Sequence, residues 1–60
     1  MAERFEIKKS ADGQFYFTLI APNNEIIATG EMYTTKQNCK NGIESVKRNA
    51  PSADIQDKTV

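Results

Sequence analysis

One stretch, Thr34 to Ala50 (TTKQNCKNGIESVKRNA), carries the only long helical periodicity in the chain. Everything that precedes it has to form a surface on which it can pack. At about 100° per residue, Cys39, Gly42, Ile43, Val46 and Ala50 fall in one apolar stripe, with Lys40, Asn41, Glu44, Ser45, Lys47 and Arg48 outside it. Thr34 and Gln37 have capping-box spacing, and Thr35 is an equally good N-cap. Glu44 and Arg48 are spaced for an i,i+4 pair. Pro51 ends the helix and pushes Ala50 toward extended geometry. The Asn41-Gly42 pair has helical flanks, so a turn there is rejected. Gly42 costs the helix about 1 kcal/mol against alanine. Its place in the stripe favours a close approach of helix to sheet over a tolerated defect.

Upstream of the helix the period changes to two. Arg4–Lys9 places Phe5 and Ile7 on one face and charges on the other. Gln14–Ala21 (QFYFTLIA) is the strongest strand, with Phe15, Phe17, Leu19 and Ala21 on one face and Tyr16, Thr18 and Ile20 on the other. A one-residue slip of register would send every side chain to the wrong face. A three-residue loop, Ala11-Asp12-Gly13, pairs Ile7 with Phe17 and Phe5 with Leu19, and puts Gly13 at the left-handed position such loops need. A two-residue loop at Asn23-Asn24 then pairs Leu19 with Ala28, Phe17 with Gly30 and Phe15 with Met32, which runs the third strand from Glu25 to about Met32. Ser52–Lys58 reads as a weak fourth strand centred on Ile55.

Sixty residues allow one domain, 1–60, and such a domain buries only about 60% of its unfolded surface. Small domains gain stability from disulfides, a metal or a partner chain. One cysteine and no histidine rule out an internal disulfide and argue against a zinc site, leaving association with a second copy. The lone thiol and the lack of a leader or spanning segment suggest a cytoplasmic protein. A formal charge of zero speaks against a general binder of nucleic acid or membrane surfaces.

The residues Phe5-Glu6-Ile7, Gly13 with the aromatic strand after it, Tyr33 before the helix and, above all, Asn41-Gly42-Ile43-Glu44-Ser45-Val46-Lys47 resemble the YegP-like family of small bacterial domains of unknown function. The resemblance runs from about Phe5 to Asp57. It implies an α+β fold, a β-β-β-α-β unit whose helix packs on one face of an antiparallel sheet. It further implies two units, tandem or on separate subunits, that share one sheet and exchange their C-terminal strands. With a single unit, this chain is expected to be a homodimer. The family often has Asn-Gly where this chain has Asn23-Asn24, and arginines where it has Tyr16 and Thr18.

Chemistry is sparse. No histidine, glycine-rich phosphate loop or paired-carboxylate pattern is present, and Cys39 lies on the apolar stripe, where cysteine acts as a small hydrophobe. No enzyme activity and no cofactor are expected. Two surfaces remain. Tyr16, Thr18, Ile20, Ile27 and Thr29 share the sheet face away from the helix and form a candidate protein-partner surface. Thr34, Thr35, Lys36, Lys40, Lys47 and Arg48 form a locally basic helix face, a candidate for weak anion or nucleic-acid binding.

Overall fold

The computed structural model describes residues 2–59. Three antiparallel strands, β1 (Arg4–Lys9), β2 (Phe15–Ile20) and β3 (Ile26–Thr29), form a sheet in the order β1-β2-β3. One helix, α1 (Lys36–Asn49), follows. The β1–β2 register is the expected one, with Ile7 opposite Phe17 and Phe5 opposite Leu19. The loop closes through Ser10 N–H to Gln14 O (2.8 Å) and Gly13 N–H to Ser10 O (3.0 Å), with Gly13 at φ 86°.

The second hairpin differs from expectation at its turn. Ala21 N–H donates to Glu25 O (2.8 Å), Asn24 N–H donates to Ala21 O (2.9 Å), and Asn24 takes φ 70°. The loop is therefore Pro22-Asn23-Asn24, three residues, a repeat of the first hairpin with Asn24 in the glycine's place. The extra loop residue is absorbed at once. Ile20 pairs with Ile26, a bulge follows, and Leu19 pairs with Ala28 as expected. Gly30 N–H reaches Phe17 O (2.9 Å). A second irregularity makes Tyr33, not Met32, the partner of Phe15, through two backbone hydrogen bonds of 2.8 and 2.7 Å. Regular β3 ends at Thr29, short of Met32.

Thr35 caps α1, its hydroxyl accepting from Asn38 N–H (3.1 Å). Ala50 stays helical at φ −57°, ψ −41°, and Pro51 sits inside a 3-10 turn, Ala50–Ser52. Proline is tolerated at the start of such a turn because its missing N–H would have no acceptor there. Extended geometry begins only at Ala53. The fourth strand expected over Ser52–Lys58 does not form within the chain. Residues 53–59 have no regular structure and are exposed throughout. A strand needs an edge to satisfy its backbone, and none is within the tail's contacts here. The backbone of the helix lies close to β1 and β2 but not to β3.

Packing centres on two aromatic rings between two glycines. Phe17 and Tyr33 stack with centroids 6.4 Å apart, and Phe5 meets Phe17 edge-on at 5.9 Å. A methyl group on Gly30 would overlap the Phe17 ring, and one on Gly42 would overlap the Tyr33 ring and hydroxyl. Gly42 therefore does mark a close approach, made by a tyrosine ring standing between helix and sheet. Cys39, one turn earlier, is fully buried.

Candidate interaction surface

Burial along α1 falls steadily from one end to the other. Cys39 is fully buried, Gly42, Ile43 and Val46 are half-buried, and Ala50 is exposed. The same gradient runs over the sheet, because β2 is central and covered whereas all four residues of β3 are exposed. Between Val46 and the sheet lies an apolar cleft of about 290 Å³, lined by Phe5, Phe17, Leu19, Tyr33 and the run Ala28–Glu31. It opens because α1 lies against β1 and β2 and not over β3, leaving Ala28 exposed. The small residues Ala28 and Gly30 carried a readable signal of close approach. Gly30 is filled by the Phe17 ring, however, and Ala28 is left open.

Two further apolar features lie outside the covered core. Ile26 and Ile27, the residues of the β-bulge, are 58% and 61% exposed. Ile55 is 99% exposed, the one large apolar side chain in the described part of the tail. Sequence periodicity placed Ile55 at the centre of a strand but gave no reason to expect it bare.

The sheet face away from the helix is uneven. Ile27 and Thr29 are exposed and Tyr16 is half-buried, but Thr18 and Ile20 are only 3% and 4% exposed. Among the described residues α1 is the one long helix, and its Val46 lies on the opposite, Phe17 face. The residues paired with Thr18 and Ile20 across the ladder are Glu6 and Arg4, whose long side chains share that face. Arg4 Nε donates to Glu6 (2.7 Å), Arg4 Nη1 donates to Asn24 Oδ1 (3.2 Å), and Lys8 Nζ lies 3.8 Å from Glu6. The Arg4 hydrogen bond holds the Glu6 carboxyl below its ordinary pKa. Beneath this charged lattice the Thr18 hydroxyl has no hydrogen-bond partner.

Along the helix, Thr34, Lys36, Lys40, Lys47 and Arg48 are all exposed, and Thr35 is engaged as the N-cap. Lys47 lies 3.8 Å from Glu44, so the ion pair on this helix is i,i+3 and not the expected Glu44–Arg48 pair. Cys39 is out of contact with solvent, and burial pushes its thiol pKa up, away from the thiolate that nucleophilic chemistry needs. Among the described residues, no three His, Cys, Asp or Glu side chains gather as metal ligands would.

A family described as a domain of unknown function, DUF1508, matches residues 10–57. A UPF0339 protein of Treponema denticola is 51% identical over 55 residues, covering 92% of this chain and 95% of that protein. The UPF0339 protein YegP of Escherichia coli K12 is 46% identical over 57 residues, covering 95% of this chain. The chain spans about half the length of YegP, 52%, and 46% of a Pseudomonas aeruginosa relative that is 52% identical over 50 residues. An NMR solution structure of a protein from Haloferax volcanii superposes with a TM-score of 0.85 at 45% identity, over 92% of this chain and 93% of that one. With this fold, and with identity of this order over most of its length, the chain belongs to the DUF1508 family, the UPF0339 proteins that include YegP.

Proposed function

We propose that this chain is a cytoplasmic structural or protein-interaction module without catalysis. In this reading it works as a homodimer whose two copies share a sheet and exchange their C-terminal segments. One observation carries the reading. The chain exposes 4783 Å², whereas a compact monomer of 6.7 kDa exposes about 3,900 Å². The surplus of about 900 Å² is close to the ~800 Å² that each partner contributes to a stable interface. The exposed residues 53–59 and the apolar cleft beside β3 are surfaces a second copy could cover. The radius of gyration, 13.0 Å, likewise exceeds the roughly 10 Å of a compact chain of this length. Ile55 is an apolar side chain without a site, and the cleft is an apolar site without a side chain. Among the described residues no helix is long and apolar enough to cross a membrane, and the single thiol suits a reducing compartment.

The test is Ile55→Asp, examined by size-exclusion chromatography with light scattering. The wild type is expected at twice the chain mass at micromolar concentration, and the variant at the mass of one chain or unfolded. A wild-type protein that is folded and monomeric at that concentration refutes the proposal. So does an Ile55→Asp variant that dimerises as well as the wild type.

A further inference from the structure

We infer that Asn41-Gly42 is a self-modification site, an intramolecular deamidation that the docked helix holds silent and that opening of α1 releases. The reaction does not depend on a second copy. Of Asn23, Asn24, Asn38, Asn41 and Asn49, only Asn41 precedes a glycine. No Cβ on the following residue then shields its backbone nitrogen, and the link between the two residues turns freely once unfolded. The Asn41 side chain is exposed at the surface of α1, where its Oδ1 accepts from Gln37 Nε2 (3.2 Å). What withholds the reaction is the helix. Both residues lie near the middle of α1, where the Gly42 N–H is committed to the Asn38 carbonyl. Ring closure needs a rotation about the Asn41 Cα–C bond out of the helical range, which breaks the helix near its centre. Gly42 is also the point where the Tyr33 ring and hydroxyl leave no room for a methyl group. The contact that seats the helix on Tyr33 therefore also keeps the site shut.

Once α1 opens, the Gly42 nitrogen gives its proton to water and attacks Asn41 Cγ. The new N–Cγ bond closes a succinimide ring, the Cγ–Nδ2 bond breaks, and Nδ2 leaves as ammonia. Water then opens the ring at one of its two carbonyls. Attack at Cγ gives aspartate at position 41 and an unchanged backbone. Attack at the backbone carbonyl gives isoaspartate, in which the chain runs on through Cβ and Cγ and the carboxylate stays on Cα. The balance is one water in and one ammonia out, with no oxidant, reductant or cofactor. The two products have opposite consequences. Aspartate keeps the helical spacing and places a carboxylate on an exposed face. Isoaspartate lengthens the backbone between Cys39 and Gly42, so the buried thiol and the glycine under Tyr33 can no longer seat together. A brief opening of α1 is reversible, and the isoaspartate form makes it permanent.

The experiment holds the full chain at one mildly alkaline pH in native buffer and in concentrated urea. Cleavage after Glu31 and Glu44 releases residues 32–44. Chromatography with mass spectrometry separates the asparagine, aspartate and isoaspartate forms, and fragmentation assigns the change to Asn38 or Asn41. In urea Asn41 is expected to convert before any other asparagine. In native buffer it is expected to convert at least about tenfold more slowly, because reaction in the folded chain waits on the open population. The fraction of wild-type chain that regains its circular dichroism spectrum on dilution is expected to fall with time held in urea. Asn41→Gln, whose longer side chain closes a ring far more slowly, is expected to keep its recovery, and Asn41→Asp to refold as fully as fresh wild type. Equal rates in the two buffers overturn the protection by α1. Earlier conversion at Asn24 or Asn38 in urea overturns the choice of site. Isoaspartate chains that refold to the wild-type spectrum overturn the link between the modification and the seating of the helix.

Discussion

Gly42 shows how a single hydrogen atom in place of a side chain ties the helix to the sheet. Tyr33 stacks on Phe17 and brings its ring and hydroxyl to the Cα of Gly42, while Phe17 itself lies over Gly30. In an open helix, replacing glycine with alanine returns about 1 kcal/mol. Here the added methyl meets a ring held by its own stacking, and overpacking of this kind costs about 1–3 kcal/mol. Gly42→Ala is therefore expected to lower the melting temperature, and Gly42→Leu to lower it further. A calorimetric scan decides this; a higher melting temperature for Gly42→Ala would show that Tyr33 moves aside freely. Cys39 belongs to the same layer. Its burial and raised pKa make it a core residue of small volume.

Among the elements, the second hairpin is the clearest case of chemistry setting backbone form. Asn24 occupies the left-handed position at φ 70°, and its side chain also accepts from Arg4. Asparagine adopts this geometry more readily than other residues with a Cβ, and a β-branched residue strains there by about 1–2 kcal/mol. Asn24→Gly is expected to be at least as stable as the wild type, and Asn24→Val to lose about that much. Urea midpoints of the two variants test this, and equal midpoints would mean the loop rearranges. The same hairpin marks how far the sequence could be read. Alternation in β1 and β2, together with Gly13, was enough to set that register to the residue. In the second hairpin Asn23-Asn24 reads as a two-residue loop, and the third loop residue shows only through the bulge that lets Ile20 meet Ile26. The pairing of Leu19 with Ala28 emerged correctly from the shorter loop because the extra loop residue is cancelled by the extra bulge residue. The helix stripe was legible from Cys39 to Val46, yet nothing in its periodicity shows that cover runs out before Ala50. Ile20 and Thr18 illustrate the opposite case. They alternate onto the face away from the helix, but the long side chains of Arg4 and Glu6 share that face, and burial there depends on neighbours across the ladder.

At the scale of the whole molecule, one copy leaves part of its apolar surface uncovered. The helix covers two strands of three, the cleft beside β3 is apolar, and the tail carries Ile55 into solvent. A chain this short has little stability to spare, so association and folding should be linked. The neutral formal charge would oppose association of two copies with no long-range repulsion. Relatives about twice this length have room for two such units in one chain. The most direct measurement is thermal unfolding by circular dichroism over a hundredfold range of protein concentration, with the mass of the native species fixed by light scattering. If a second copy completes the core, the native mass is that of two chains and the melting temperature rises with concentration, by roughly 5 °C or more across the range. A single-chain mass with a melting temperature independent of concentration would contradict it, and would mean that the open cleft and exposed tail are compatible with a stable monomer.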